Sequence, residues 1–268
     1  MKLAWLTDIH LNFLEDDARE KFYQKILNTK CEAVLISGDI AEAPNVAGLL
    51  SEMADYIKKP VYFILGNHDY YRGQVNQVRG EMVNLTNTKD KLYWLPASGI
   101  QELLGKTILV GQDGWADGRF GDYQSSRVAI NDSRMIADLF QAKMLGKFLL
   151  LEKMQELADT DAMQLKRDLY EAVSKNPNKV IVLTHVPPFK EACMHMGKIS
   201  DDDWLPYFSC KVIGDVLMEV ANENPSIDFL VLCGHTHSES NYQPLSNLTV
   251  RAGKAEYRYP EVQEVIVL

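Results

Sequence analysis

The residues best suited to chemistry lie in five short blocks, each at the end of an apolar run of the 268-residue sequence. The blocks contain Asp8 and His10; Asp39; Asn67, His68 and Asp69; His185; and His235 and His237. Carboxylates and imidazoles bind metal ions, and an amide oxygen can do so without adding charge. Five of the six histidines stand in these blocks. Any one block alone could be a turn, but the whole set indicates a metal site.

The number and type of these side chains favour two metal ions. The candidate ligands are Asp8, His10, Asp39, Asn67, His185, His235 and His237, too many for one tetrahedral ion. They include histidines but no cysteine, which favours Mn, Fe or Zn. With only two carboxylates, such a site would carry positive charge and suit an anion. Two ions about 3.5–4 Å apart can hold the oxygens of a phosphoryl displacement and generate a hydroxide between them.

His68 and Asp69 are the candidate catalytic residues. His68 is not needed as a ligand, and it follows Asn67 directly. We therefore expect its ring to donate a proton to the leaving group. Asp69 either orients the His68 ring or shapes the turn, and the sequence leaves both interpretations open.

The elements that carry these blocks alternate between strand and helix patterns. Apolar runs at 2–6, 33–37, 61–65, 180–184 and 228–233 predict strands, and amphipathic segments at 16–28, 44–58, 72–85 and 209–221 predict helices. This alternation indicates parallel strands, whose carboxyl ends collect ligands at one edge of a sheet. Further apolar runs at 92–95, 100–104, 106–111, 248–252 and 262–268 are expected in a second sheet.

One segment departs from the alternation. Residues 112–132 are polar and aperiodic, which predicts a long loop, and residues 133–173 have a helical pattern with a break near 158–160. We interpret 112–175 as a polar loop and helical cap inserted within a single domain of residues 1–268. In the loops, Arg119, Tyr123, Arg127 and His195 are candidate substrate contacts, although each could be an ordinary solvated residue.

Composition excludes several classes of protein. The chain is 46% hydrophobic with a net charge of −9, and it has no apolar run near the length of about 20 residues that spans a membrane. The acidic balance disfavours nucleic acid as a partner. Four scattered cysteines and the absence of a signal-peptide pattern predict a cytoplasmic location. The expected partner is a small-molecule phosphoester, and the oligomeric state stays open.

The blocks resemble the motifs of the calcineurin-like metallophosphoesterases in order and spacing. The matching stretches are Asp8-x-His10, Gly38-Asp39, Gly66-Asn67-His68-Asp69, His185 and Gly234-His235-x-His237. The resemblance implies an α/β fold, a four-layer α/β/β/α sandwich of two mixed sheets with a helical insertion. It also implies that Asp8, His10 and His237 bind one metal, that Asn67, His185 and His235 bind the other, that Asp39 bridges them, and that His68 is the acid.

The resemblance implies hydrolysis of a phosphoester. The third block ends in Asp69 rather than Glu, which looks more like the cyclic-nucleotide phosphodiesterase and nuclease branches than the protein phosphatases, so a phosphodiester is slightly favoured over a monoester. The alternative is a non-catalytic, metal-binding interaction module of the same fold, as in the retromer subunit that resembles this family. That relative lacks the catalytic histidine, whereas His68 is present here.

Overall fold

Thirteen β-strands follow one another along the chain in this computed structural model, which describes residues 1–268. They are β1 (Lys2–Leu6), β2 (Ala33–Ser37), β3 (Val61–Ile64), β4 (Leu92–Trp94), β5 (Gln101–Leu103), β6 (Thr107–Gly111), β7 (Lys179–Leu183), β8 (Met194–His195), β9 (Lys198–Ile199), β10 (Asp228–Cys233), β11 (Ser240–Leu245), β12 (Leu248–Ala252) and β13 (Glu264–Val267). Every residue of β2 is buried, as expected for a strand covered on both faces.

Nine α-helices connect and cover these strands. They are α1 (Asp16–Asn28), α2 (Val46–Ile57), α3 (Val75–Thr88), α4 (Leu95–Ser98), α5 (Asp132–Met135), α6 (Ala137–Leu145), α7 (Lys147–Ser174), α8 (Leu205–Phe208) and α9 (Lys211–Glu223). The predicted apolar stripes are buried: in α2, for example, Val46, Leu50 and Met53 are fully inaccessible to solvent. No helix is both long and apolar enough to cross a membrane.

Eleven of the strands form two mixed sheets, and β8 and β9 pair separately as an antiparallel hairpin. The first has the order β13-β1-β2-β3-β4, in which only β13 is antiparallel to its neighbour. The second has the order β11-β12-β10-β7-β6-β5, with antiparallel pairs at both edges. The prediction that β4 and β13 belong to the second sheet is therefore wrong. The β3–α3–β4 connection repeats the preceding crossovers, and the end of the chain returns to pair with β1.

Successive side chains of each strand point alternately into two different apolar layers. Leu3 and Trp5 of β1 pack with Leu109, Leu183 and other residues of the second sheet, so the sheets lie face to face. The intervening residues of each strand pack instead in the large core that includes the helices. This alternation places helices outside both sheets, which confirms the expected α/β/β/α sandwich.

The helical segment before β7 differs in detail from its prediction. Residues 112–131 contain no helix or strand, as predicted, but α7 runs without interruption through 158–160. The break predicted there is wrong, because Ala158 and Ala162 continue the buried stripe of the helix. The chain bends instead at Gly146, whose φ is 134°. Helix α7 then packs on β6 and α9.

Candidate metal centre

The predicted ligands meet at the carboxyl ends of five parallel strands. Asp8 and His10 follow β1, Asp39 follows β2, and Asn67 and His68 follow β3. His185 follows β7, and His235 and His237 follow β10. Although β1–β3 belong to one sheet and β7 and β10 to the other, their carboxyl ends open on the same side of the sandwich. The structure therefore brings together all seven predicted ligands, with His68 beside them.

One group of four side chains lies around Asp8. The ligand atoms of Asp8, His10, Asp39 and His237 all lie within 4.8 Å of one another. His237 Nε2 is 3.3 Å from Asp8 Oδ1 and 3.4 Å from His10 Nε2. His10 Nε2 is 3.8 Å from Asp39 Oδ2. Since three of these residues are buried, the group forms a pre-arranged set of nitrogen and oxygen ligands.

A second group lies around the amide of Asn67. The Oδ1 atom of Asn67 is 3.0 Å from His185 Nε2 and 2.9 Å from His235 Nδ1. The same nitrogen of His185 is 3.2 Å from Asp39 Oδ1. Asp39 therefore directs one carboxylate oxygen to each group and lies between them.

Hydrogen bonds fix the orientation of the three side chains in the second group. His185 Nδ1 donates to the carbonyl of Ser37, and His235 Nε2 donates to the carbonyl of Tyr207, both at 2.9 Å. In the neutral rings the other nitrogens are then acceptors. The amide nitrogen of Asn67 donates to Asp132 at 2.8 Å, which turns its oxygen towards the two imidazoles. With His185 in its neutral form, acceptor atoms thus converge on one point, an arrangement that fits a cation.

Five of the seven candidate ligands have strained backbones. Their φ angles are positive: Asp8 (49°), His10 (40°), Asp39 (53°), His235 (71°) and His237 (53°). Residues with side chains seldom adopt this region, and such strain persists where the surrounding structure imposes it, typically at functional sites. The ligands are therefore held in place by the fold.

Glycines allow the strand-end loops to approach each other. A Cβ atom at Gly66 would lie 2.2 Å from Asp39 Oδ1, and one at Gly234 would lie 2.0 Å from Asp8 Oδ2. Both separations are far below van der Waals contact. Each motif therefore needs its glycine because a neighbouring ligand occupies the space of a side chain.

Charges within the centre shift the pKa of its residues. Burial alone would raise the pKa of Asp8, but the hydrogen bond with His237 and the charge of His185 lower it to about 2. Burial lowers the pKa of His10 to about 4, so this ring is neutral near pH 7. Burial also opposes the charge of His185, yet the adjacent Asp39 raises its pKa to about 10. Without metal, His185 holds a proton that a bound ion would replace.

His68 lies at the surface of the centre. Its ring stacks on Tyr71 with centroids 4.2 Å apart, and its Nε2 is 3.9 Å from Asp39 Oδ2. Its Nδ1 has no hydrogen-bond partner, while its backbone N–H donates to Asp39 Oδ1. The ring is thus fixed by packing and backbone contacts, with a side-chain exposure of 16% towards the cleft.

Asp69 has a different role from orienting His68. Its carboxylate accepts hydrogen bonds from the backbone N–H groups of Ile40, Ala41 and Gly66 at 2.7–2.9 Å, and none from the His68 ring. Burial and the charge of Asp39 raise the pKa of Asp69 to about 8, against these three donors. The structure therefore corrects the catalytic interpretation of Asp69, which joins the loops after β2 and β3.

A cleft of about 320 Å³ opens above the centre. Its lining residues are Asp39, Asn67, His68, Tyr71, Ala129, Ile130, Asn131, Asp132, His195, Trp204, Phe208, His235, Thr236, His237 and Tyr257. His195 is among them, and its ring stacks on Trp204 with centroids 5.6 Å apart. The loop after β7 thus forms one wall of the cleft.

Arg119 and Tyr123 do not line this cleft, in contrast to their prediction as substrate contacts. The Arg119 guanidinium is engaged by Asp117 at 3.1 Å and by Asp159 at 2.8 Å. Tyr123 is buried and donates its hydroxyl hydrogen to the carbonyl of Lys147. The sequence could not reveal these partners, since Asp159 lies 40 residues from Arg119.

Three residues of the centre, Tyr71, Asp132 and Tyr257, were not predicted from the sequence. Asp132 accepts hydrogen bonds from both Asn67 and Tyr71. Tyr257 lies over the first group, with its ring centroid 4.6 Å from that of His10. Only Tyr71 carried a local signal, because it closely follows the third block.

The fold and this centre define a class of protein, the metal-dependent hydrolases built on two face-to-face mixed sheets. A family profile described as calcineurin-like phosphoesterase matches residues 1–239. The chain belongs to this family and is a phosphoester hydrolase. A search of curated protein sequences found no significant match.

Solved structures share the fold at low sequence identity. A dimetal phosphatase from Danio rerio is 13% identical with a TM-score of 0.61, covering 97% of this chain and 89% of its own. The phosphopantetheinyl hydrolase from Mycobacterium tuberculosis is 10% identical with a TM-score of 0.63, covering 96% and 90%. A protein from Thermus thermophilus is 13% identical with a TM-score of 0.54, covering 94% and 88%. These similarities establish the fold.

Proposed function

We propose that the chain hydrolyses a small phosphodiester, in preference to a monoester, with two divalent metal ions. The metals would be Mn, Fe or Zn, given the nitrogen and oxygen ligands. Asp8, His10 and His237 would hold one ion, and Asn67, His185 and His235 the other, with Asp39 between them. The convergence of both groups on Asp39 supports this assignment.

The protein groups have distinct roles in the proposed reaction. When bound, the two ions supply positive charge to the phosphoryl oxygens and lower the pKa of the attacking water. The Asn67 amide, held by Asp132, presents an oxygen without adding negative charge. His68, stacked on Tyr71 at the cleft, donates a proton to the leaving-group oxygen.

The charge of the residues that line the cleft supports the preference for a diester. None of its lining residues is Lys or Arg, and two of them, Asp39 and Asp132, are acidic. A phosphomonoester carries close to two negative charges at pH 7, because its second pKa is about 6. A phosphodiester carries one. With no cationic side chain to pair with the additional charge, the cleft suits the diester.

The cleft walls support a small organic substrate. His195, Trp204 and Phe208 form an aromatic wall in which Trp204 and Phe208 have centroids 5.0 Å apart. Such a wall can stack on a planar ester substituent. The net charge of −9 opposes binding of a long nucleic acid. The cytoplasmic location is retained as a proposal, supported by four free, buried cysteines.

A pair of aryl phosphates tests the proposal. Protein loaded with Mn²⁺, Fe²⁺ or Zn²⁺ is assayed with bis(p-nitrophenyl) phosphate and with p-nitrophenyl phosphate. We expect kcat/KM for the diester to exceed that for the monoester by about tenfold or more, which is ~1.4 kcal/mol. Equal or better turnover of the monoester would overturn the preference. No observation favours the alternative of a non-catalytic interaction module, since His68 lies in the cleft.

We further propose that residues 1–268 form one domain with 112–175 as an inserted loop and cap. This is supported by the contribution of Ala129, Ile130 and Asp132 to the cleft wall. A single calorimetric unfolding transition is expected for one cooperative domain. Two separable transitions would contradict it.

A further inference from the structure

A second cavity lies directly beside the cleft. Its volume is about 260 Å³, and its lining residues are Tyr123, Ser126, Arg127, Val128, Ala129, Ile130, Ser133, Lys143, Lys147, Leu150 and Tyr207. Ala129 and Ile130 line both spaces. The cleft and the cavity are therefore neighbours that share residues 129–130 of their walls.

The two spaces differ in charge. The cleft has no cationic side chain, whereas Arg127, Lys143 and Lys147 line the second cavity, which has no carboxylate. Lys143 Nζ is 3.2 Å from Ser133 Oγ, and Lys147 Nζ donates to two backbone carbonyls at 2.8 and 2.9 Å. None of the three cations forms a salt bridge, although Asp122, outside the lining, lies close enough for Lys147 to interact electrostatically with its carboxyl. No carboxylate lines the cavity, so it keeps a positive charge in a protein whose acidic residues outnumber basic ones, 37 to 28.

The cations are also partly pre-arranged. The ammonium group of Lys147 lies 5.1 Å from the centroid of the Tyr123 ring, in addition to its two carbonyl contacts. Val128 and Leu150 form apolar parts of the wall. Apolar walls reduce the screening of charges by water, and fixed donors lose little freedom on binding. Both properties favour the binding of an anion.

We propose that this cavity is a subsite for a second phosphate group, carried on one ester arm of the substrate. The inference rests on the proposed function, because the scissile phosphodiester is placed at the metal centre. Lysine, arginine and serine hydroxyl groups are all suitable donors to a phosphate monoester. The substrate class is thus a phosphodiester with one singly charged phosphate for the cleft and one nearly doubly charged phosphate for the cavity.

Two matched dinucleotides test the subsite. The probes are a thymidine dinucleotide and the same molecule with a 5′-phosphate, which differ only in the second phosphate. Their dissociation constants are measured on metal-loaded His68→Ala protein, in which hydrolysis should be slow enough for little of either probe to be consumed. We expect the 5′-phosphorylated probe to bind about tenfold tighter or more, as for a charged hydrogen-bonded group. Introducing Arg127→Gln and Lys143→Gln together should bring this ratio towards one.

Lys153→Gln is the matched control. Lys153 lies on the same helix as Lys147 but pairs with Glu156 at an exposed position, so its loss should leave the ratio unchanged. Equal affinities for the two probes, or a preference that survives the double substitution, would overturn the subsite. Failure of the proposed function is distinct, because it shows as absent turnover of bis(p-nitrophenyl) phosphate by protein with His68 intact.

Discussion

The carboxylate of Asp132 lies 2.8 Å from the amide nitrogen of Asn67 and fixes the direction in which that amide points. Asp132 also accepts a hydrogen bond of 2.7 Å from Tyr71, the residue on which His68 stacks. One buried carboxylate at the start of α5 therefore supports both a candidate ligand and the candidate acid. The segment between β6 and β7 thus contributes to the centre without providing any of the seven candidate ligands.

Removal of Asp132 should weaken metal binding. In Asp132→Ala the Asn67 amide loses the nearer of its two acceptors and keeps only the 3.3 Å contact with the Tyr71 hydroxyl, so its oxygen is held less firmly towards His185 and His235. Loss of such an outer contact typically lowers metal affinity about 10- to 100-fold. Calorimetric titration with Mn²⁺ measures the change, which should be confined to one of the two sites. Asp90→Ala, at an exposed position, is the control, and wild-type affinity in Asp132→Ala would refute the role.

His68→Ala separates chemistry from metal binding. Loss of a general acid should reduce kcat about 10²- to 10⁴-fold. Metal content should not change, because the His68 ring is not among the proposed ligands. His195→Ala is the comparison, since His195 lies on the cleft wall and should mainly affect KM. Unchanged kcat in His68→Ala, with metal still bound, would exclude His68 as the acid.

Gly66→Ala should disrupt the centre. The added Cβ would lie 2.2 Å from Asp39 Oδ1 and 2.7 Å from His185 Cε1. We expect loss of bound metal, with a lower melting temperature. Gly48→Ala is the matched control, because nothing lies within 4 Å of its added Cβ and its helical position should gain about 0.5–1 kcal/mol. Full metal occupancy in Gly66→Ala would contradict this description of the site.

The free energy of unfolding of the metal-free protein, and with it the melting temperature, should fall as pH rises from 7 to 10. Burial lowers the pKa of His185, but Asp39 raises it from an ordinary 6.5 to about 10. A group whose pKa is raised by folding stabilises the folded state fully below its unfolded pKa, and this contribution is lost as pH passes its folded pKa. Melting temperatures in a chelator measure the slope.

The pH dependence of the melting temperature can be compared with that of two other samples, the His185→Asn variant and the metal-loaded protein. His185→Asn has no titrating ring at this position, so its melting temperature should vary less with pH between 7 and 10. In the proposed site a bound metal would replace the proton on His185, so the loaded protein should also show a weaker dependence. A metal-free slope that is unchanged by His185→Asn would show that other groups cause it.

The sequence by itself predicted the candidate ligands and the strands that carry them. Asp8 and Asp39 each follow a short apolar run, and the geometry of parallel strands requires such ends to lie at one edge of a sheet. His185 also follows such a run, but its strand lies in the other sheet, so its approach to Asp39 depends on how the sheets pack. The elements before each block were therefore predictable from local patterns. Glycines such as Gly66 were visible in the motifs, although the neighbouring atoms that require them were not.

Only the tertiary structure decided which distant residues complete the centre. Asp132 reaches Asn67 across 65 positions, and Asp159 neutralises Arg119 across 40. Such pairs depend on how the segment between β6 and β7 packs against the sheets, which no local period encodes. The pairing of β13 with β1 is decided in the same way, since a single apolar strand fits either sheet until its neighbours are in place. Local sequence thus specified the chemistry, and long-range packing specified its surroundings.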